Sequence, residues 1–155
     1  MSAGRGRSLQ IHASCVAADG LGLLLRGPSG SGKSDLALRL IDGGAGLVAD
    51  DLCEIWREGD RLMADLPAAV AVEFRGRIEM RGNGILTKPY FGPVRLGLVV
   101  DLGIEGATRH TPPPTTASYL GLALPLVVLD PFQASAAAKL RLVARGLPGS
   151  IIRPP

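Results

Sequence analysis

Short apolar runs alternate with clusters of glycine, proline and charge along this chain, and the spacing within them sets the expected elements. Leu9–Ala17 and Leu21–Leu25, separated by Asp19-Gly20, predict a β-hairpin. Behind it Leu36, Ala37, Leu40 and Ile41 recur at helical spacing, with Asp35 and Arg39 one turn apart on the other face. Gly43-Gly44-Ala45-Gly46 ends that helix. Gly46–Asp50 and Cys53–Trp56 predict strands, and a turn at Glu58-Gly59-Asp60 leads into a third over Arg61–Ala64. Pro67 opens a mixed segment, and Arg75–Leu86, dense in glycine and arginine, is expected to form no regular core element. Val94–Leu102 is the most apolar strand candidate. A loop over Gly103–Thr116 follows, containing Pro112-Pro113-Pro114, then a strand over Leu122–Leu129. Gln133–Arg145 predicts a closing helix with Ala136, Leu140, Val143 and Ala144 inward. The expected organisation is one domain over 9–147 between tails at 1–8 and 148–155, in the α/β class, strand-rich with few helices.

Between the second strand and the first helix stands Gly27-Pro28-Ser29-Gly30-Ser31-Gly32-Lys33-Ser34, which satisfies G-x-x-x-x-G-K-[ST] without a mismatch. Glycines let the backbone curl so that successive N–H groups face phosphate oxygens, and the helix N-terminus adds partial positive charge. This pattern predicts a nucleotide triphosphate ligand, with Lys33 on its β and γ phosphates and Ser34 on Mg²⁺. One short glycine turn after the helix comes Val48-Ala49-Asp50-Asp51. Carboxylates at the end of an apolar strand behind such a loop suit the Walker B role. Neighbours in extended chain face opposite ways, so one aspartate serves the metal and the other a reacting hydroxyl.

Three further positions bear on the chemistry. In Ile78-Glu79-Met80-Arg81-Gly82-Asn83-Gly84-Ile85 a carboxylate and a guanidinium flank glycines that allow close backbone approach, which suits a metal and a phosphoryl group. His12 lies on the strand before the phosphate loop. Arg109 and His110 sit in the proline-flanked loop, where an arginine would close over a transferring phosphate.

Composition narrows the partners. Apolar residues make up 46% of the chain but aromatics only 4%, so the core rests on Leu, Val, Ile and Ala. A net charge of +3 spread over scattered arginines, with lysine only at 33, 88 and 139, gives no nucleic-acid stripe. The longest apolar run, Leu120–Leu129, is interrupted by Gly121 and Pro125 and is too short for a membrane span. The N-terminus lacks the apolar core of a signal peptide, and Cys15 and Cys53 have no metal-like spacing. A cytoplasmic protein with two buried, reduced thiols is expected.

Taken in order, Ile11-His12, the phosphate loop, Val48-Ala49-Asp50-Asp51 and the Glu79-Met80-Arg81-Gly82-Asn83-Gly84-Ile85 run resemble the catalytic domain of the HPr kinase/phosphorylase family; Tyr90-Phe91-Gly92-Pro93-Val94-Arg95 also fits. The resemblance covers roughly residues 9 to 130. It implies a P-loop fold related to phosphoenolpyruvate carboxykinase, hexameric assembly, and an ATP- and Mg²⁺-dependent kinase acting on a serine of the phosphocarrier HPr. On that footing Gly27, Pro28, Ser29, Gly30, Ser31, Gly32, Lys33 and Ser34 bind ATP, and Ser34 and Glu79 bind Mg²⁺, with Asp50 also assigned to the metal. Asp51 is the base that takes the serine proton, His12 supports it, and Arg109 is the nearest candidate for the family's catalytic arginine. Set beside longer members, the chain is expected to correspond to the short alphaproteobacterial form, which has no N-terminal regulatory domain. It also reads Pro125-Leu126-Val127-Val128-Leu129-Asp130-Pro131 where they carry a Pro-Val-Arg-Pro-Gly-Arg-like run, so no appreciable dephosphorylation of the carrier is expected beside the kinase reaction. Two other classes fit the phosphate loop alone: a small-molecule kinase, which usually carries a basic lid, and an ATP-sensing module, which needs no base.

Overall fold

The computed structural model describes residues 5–70, 72–80, 82–102 and 115–146. The expectations for Arg81, for Arg109 and His110, for the proline run and for the C-terminal tail therefore lie outside the described residues. Strands β1 (Ser8–Ile11), β2 (Ala13–Ala18), β3 (Leu21–Arg26), β4 (Gly46–Ala49), β5 (Cys53–Glu58), β6 (Arg61–Asp65), β9 (Val94–Leu102), β10 (Thr116–Tyr119) and β11 (Leu122–Leu129) share one sheet. β7 (Arg77–Met80) and β8 (Gly84–Thr87) pair separately, and the helices are α1 (Lys33–Asp42) and α2 (Ala136–Gly146).

β9 is the axis of the sheet. Along one side it runs parallel to β3. On the other side its first residues pair antiparallel with β6 and its last four pair parallel with β11. The register with β3 jumps from Gly22↔Leu96 to Leu23↔Leu98, leaving Gly97 as an extra residue. This bulge changes which residues face which side. Val94, Leu96 and Val99 join one core, and Leu98, Val100 and Leu102 join the other.

The two cores occupy the two faces of the sheet. β2 is buried at all six positions, with Ala13, Cys15 and Ala17 on one face and Val16 and Ala18 on the other. On the latter face lie both helices. α1 presents Leu36, Ala37, Leu40 and Ile41, the expected stripe, and α2 presents Ala136, Ala137, Leu140 and Ala144. The second core is closed by Cys53, Ile55, Leu62, Ala64 and Ala117 from β5, β6 and β10. Cys15 and Cys53 are free and buried within it. A hydrogen bond with Cys53, together with burial, holds the Cys15 thiol well above its usual range.

Four expectations change. The run Leu9–Ala17 is broken at His12: β1 crosses to pair with β5, while β2 pairs with β3 and β4. Arg75–Leu86 does form regular structure, the β7–β8 hairpin, and Ile78 is 1% exposed in the helix-side core. Ile78, with the half-buried Leu86 beside it, seats the hairpin against the helix-side core although much of its sequence is polar or glycine. Thr116, expected in a loop, opens β10, and α2 starts three residues later than the apolar pattern suggests. At the N-terminal side, Arg5 forms ion pairs with both Glu54 and Asp65, so the chain is anchored before β1 begins.

β3, β4, β9 and β11 all point the same way, so their C-terminal ends, with the N-terminal end of the antiparallel β2, share one edge. Arg26 pins that edge. Its Nε and Nη2 donate to the two carboxylate oxygens of Asp101 on β9 (2.6 and 2.8 Å) and its Nη1 to the Tyr119 hydroxyl on β10 (2.7 Å). The Asp101 hydrogen bonds raise the guanidinium above its ordinary value, against the opposing effect of burial. Asp101→Asn keeps the shape but removes a charge-assisted fork, and is expected to cost about 2 kcal/mol in urea unfolding. Unchanged stability would remove this pair from the scaffold.

Candidate active site

The phosphate loop leaves β3 at Gly27 and enters α1 at Lys33. Space dictates the first glycine: a Cβ on Gly27 would lie 2.7 Å from the Leu102 carbonyl oxygen. Conformation dictates the next two, since Gly30 and Gly32 have φ of 82° and 96°. Gly32 is the N-cap of α1 and has no side chain to satisfy the first-turn N–H groups, which leaves the positive end of the helix uncapped. Lys33 is 5% exposed, and its Nζ donates to the carbonyls of Gly27 (2.6 Å) and Pro28 (3.1 Å), placing the charge inside the curl of the loop. The Ser31 hydroxyl is buried there without a hydrogen-bond partner. An uncapped helix end, an interior lysine and an orphaned hydroxyl form a nest for an anion.

Next to this nest stands the Asp50 carboxylate, one residue beyond β4. Its Oδ1 accepts hydrogen bonds from Ser34 Oγ on α1 (2.9 Å) and from Ser14 Oγ on β2 (3.0 Å), and its Oδ2 accepts from the Glu79 N–H on β7 (3.4 Å). Asp51 is turned the other way. Its φ is 68°, in the left-handed region that ordinary residues avoid. Its N–H donates to Ser14 Oγ (3.2 Å), and its Oδ1 lies 2.9 Å from His12 Nε2, with both side chains more than half exposed. His12 reaches this point because it stands at the break between β1 and β2.

A cavity of about 620 Å³ opens here, and its walls include Gly30, Lys33, Ser34, Asp50, Asp51 and Glu79. Ser34, Asp50 and Glu79 fit a magnesium ion that shares its coordination with phosphate oxygens: they offer hard oxygen donors but no complete cage. Among the described residues, no group of three or more His, Cys, Asp or Glu side chains could by itself hold a metal ion. Of the residues singled out from sequence, His12, Lys33, Ser34, Asp50, Asp51 and Glu79 lie together, and Arg109 lies outside the described residues.

Ser14 was not among them. It is fully buried, and its single hydroxyl both holds Asp50 and accepts from the backbone of Asp51. The available signal was one hydroxyl in an otherwise apolar strand, a pattern also produced by any small core residue.

The HPr Serine kinase C-terminal domain family pattern matches residues 6–96. Among curated relatives, an HPr kinase/phosphorylase from Caldanaerobacter subterraneus subsp. tengcongensis is 43% identical over 101 residues, which are 63% of this chain and 32% of that protein. One from Aromatoleum aromaticum is 41% identical over 101 residues, 61% of this chain and 31% of the relative. The chain thus spans about a third of the length of the curated relatives it matches. The solved structure of the Hpr(Ser) kinase/phosphatase from Coxiella burnetii superimposes with a TM-score of 0.72 at 24% identity, covering 88% of this chain and 94% of that one. The two share a fold. Among the described residues, no helix is long and apolar enough to cross a membrane.

Ser14→Ala leaves the Asp51 N–H without its acceptor and Asp50 without one donor. It is expected to lower unfolding stability by about 1–2 kcal/mol although only one oxygen is removed. A neutral result in urea denaturation would show that the Asp50–Asp51 turn holds itself.

Proposed function

Because this chain belongs to the family of HPr serine kinase C-terminal domains, we propose that it transfers the γ-phosphoryl group of ATP, with Mg²⁺, to a serine hydroxyl of the carrier protein HPr. The observation that carries this reading is the division between the two adjacent aspartates. Asp50 is occupied on both oxygens by Ser14, Ser34 and the Glu79 N–H, while the Asp51 carboxylate faces the same cavity and, among the described residues, is partnered by His12.

The phosphate chain of ATP lies along Gly27–Ser34, where the first-turn N–H groups and Lys33 take its charge. Ser34, Asp50 and Glu79 would hold the magnesium ion, which neutralises phosphate charge. The acceptor serine approaches from the Asp51 side. Asp51 accepts the hydroxyl proton as the serine oxygen bonds to the γ-phosphorus and the bond from that phosphorus to the bridging oxygen breaks. ADP leaves with the electron pair of that bond, its charge held by Lys33 and the loop N–H groups. His12 Nε2 fixes the orientation of the carboxylate that carries the proton.

A protein acceptor suits the surroundings better than a small molecule. From Asp50 and Glu79 a second groove of about 450 Å³ continues outward past Leu52, Phe74 and Ile85. These side chains are 40%, 51% and 65% exposed, an apolar surface of the kind that meets another folded chain. The HPr acceptor, assembly into hexamers and a cytoplasmic location belong to this same proposed reading, as does the boundary of the catalytic unit at residues 9–147.

Incubation with labelled ATP, Mg²⁺ and HPr is expected to yield acid-stable phosphoserine on the carrier. Lys33→Ala is expected to lower that rate by about 10²-fold or more with the fold retained by circular dichroism, because a charge facing the phosphates is lost. Near wild-type turnover in this variant would take the loop out of the mechanism. The reverse reaction is expected to be weak. Pro125–Pro131 contains no arginine to pair with the phosphoserine anion. Pyrophosphate release from phosphorylated carrier at high inorganic phosphate should fall well below the forward rate, and equal rates would contradict this reading of β11.

A further inference from the structure

One wall of the phosphate-loop cavity is an aromatic ring that the phosphoryl chemistry does not use. Phe132 lies in the loop after β11 and lines the same cavity as Gly30, Lys33 and Ser34. At 70% exposure it is the most exposed large hydrophobic side chain among the described residues. Its loop is nevertheless held firmly. The Phe132 N–H donates to Asp130 Oδ1 (2.9 Å). Arg39 of α1 donates to the carbonyls of Pro131 and Gln133, and Lys139 of α2 donates to Gln133 Oε1 (3.0 Å). The ring rests against the N-cap of α1: a Cβ on Gly32 would come within 3.3 Å of Phe132 Cζ. Leu38, one turn along α1 from Ser34, adds a second apolar side chain to the cavity. A rigid loop that holds an aromatic face in water, at the mouth of an anion nest, is built to receive a flat apolar group attached to that anion.

We propose that Phe132 is the stacking platform for the nucleobase of the nucleotide whose phosphates lie on Gly27–Ser34. The proposal rests on the nucleotide reading above and adds to it the site of the base. Stacking on an aromatic face is tolerant of base identity, so the platform supplies affinity for a nucleoside triphosphate over a bare polyphosphate rather than a choice between purines.

The test compares ATP with tripolyphosphate, which carries the phosphate chain and no base, by isothermal titration calorimetry in the presence of Mg²⁺. The wild-type protein is expected to bind ATP more tightly than tripolyphosphate. In Phe132→Ala, ATP binding should weaken by about five- to tenfold while tripolyphosphate binding stays within about twofold, which removes the preference. Phe132→Trp should restore ATP affinity, and its indole fluorescence should be quenched by ATP but not by tripolyphosphate. Trp56, the only native tryptophan, is 3% exposed and reports little of the cavity. Equal weakening of both ligands in Phe132→Ala, or no change for ATP, would overturn the platform. Wild-type protein that binds both ligands equally would also overturn it while leaving the phosphate nest standing, and wild-type protein that binds neither would overturn both.

Discussion

The carboxylate of Asp50 is the junction on which this site depends. Three elements that are distant in sequence deliver hydrogen bonds to it: β2 through Ser14, α1 through Ser34 and β7 through the Glu79 N–H. Bonds to a charged acceptor are roughly twice as strong as neutral ones, so this one group locks the phosphate loop, the β2 edge and the small hairpin into one geometry. The next residue bears the consequence. Asp51 is forced into a left-handed conformation that costs about 1–2 kcal/mol, offset in part by the Ser14 oxygen that receives its N–H. That conformation turns its carboxylate away from Asp50 and toward His12. Adjacent residues thereby acquire different environments from the same strand end.

The scaffold makes such a junction possible by bringing strand ends to one edge. Parallel pairing of β3 with β9 and of β9 with β11, with β4 aligned alongside through β2, assembles the phosphate loop, Asp50 and the Phe132 loop on a single rim. Ligands of open α/β sheets bind at the carboxyl ends of strands for this reason. The chain achieves it with almost no aromatic core. Leucine, valine and alanine alternate through thin strands, and the Gly97 bulge changes the alternation where β9 passes from its β6 neighbour to β11.

Much of this was legible in the sequence because local pattern and tertiary role coincide. The α1 stripe, the long apolar β9 and the unbroken phosphate-loop motif each specify their own environment. What escaped was whatever depended on a partner distant in sequence. The strand break at His12 leaves no mark in an apolar run, since β1 and β2 are both suited to a sheet and only their pairing with different strands separates them. The β7–β8 hairpin looks too polar and too rich in glycine for structure, yet Ile78, with the half-buried Leu86 beside it, seats it against the helix-side core. Ser14 carries two hydrogen bonds at the Asp50–Asp51 turn, but a serine in a buried strand has the same appearance whether it holds such a turn or merely fills space. Two adjacent aspartates were visible as chemistry and the resemblance already assigned them separate roles; the structure adds the different neighbours that surround each carboxylate.

The most direct measurement of that division compares Asp50→Asn with Asp51→Asn, following both Mg²⁺-dependent ATP binding and the rate of phosphoserine formation on the carrier at saturating Mg²⁺-ATP. An amide preserves shape in each case but neither takes up a proton nor neutralises a cation. Asp51→Asn should bind Mg²⁺-ATP normally and lose about 10²- to 10⁴-fold in transfer, the range expected for a missing general base. Asp50→Asn should demand a higher Mg²⁺ concentration and recover much of its rate when that is supplied. The opposite pattern, with Asp50→Asn failing at saturating metal while Asp51→Asn turns over, would contradict the account.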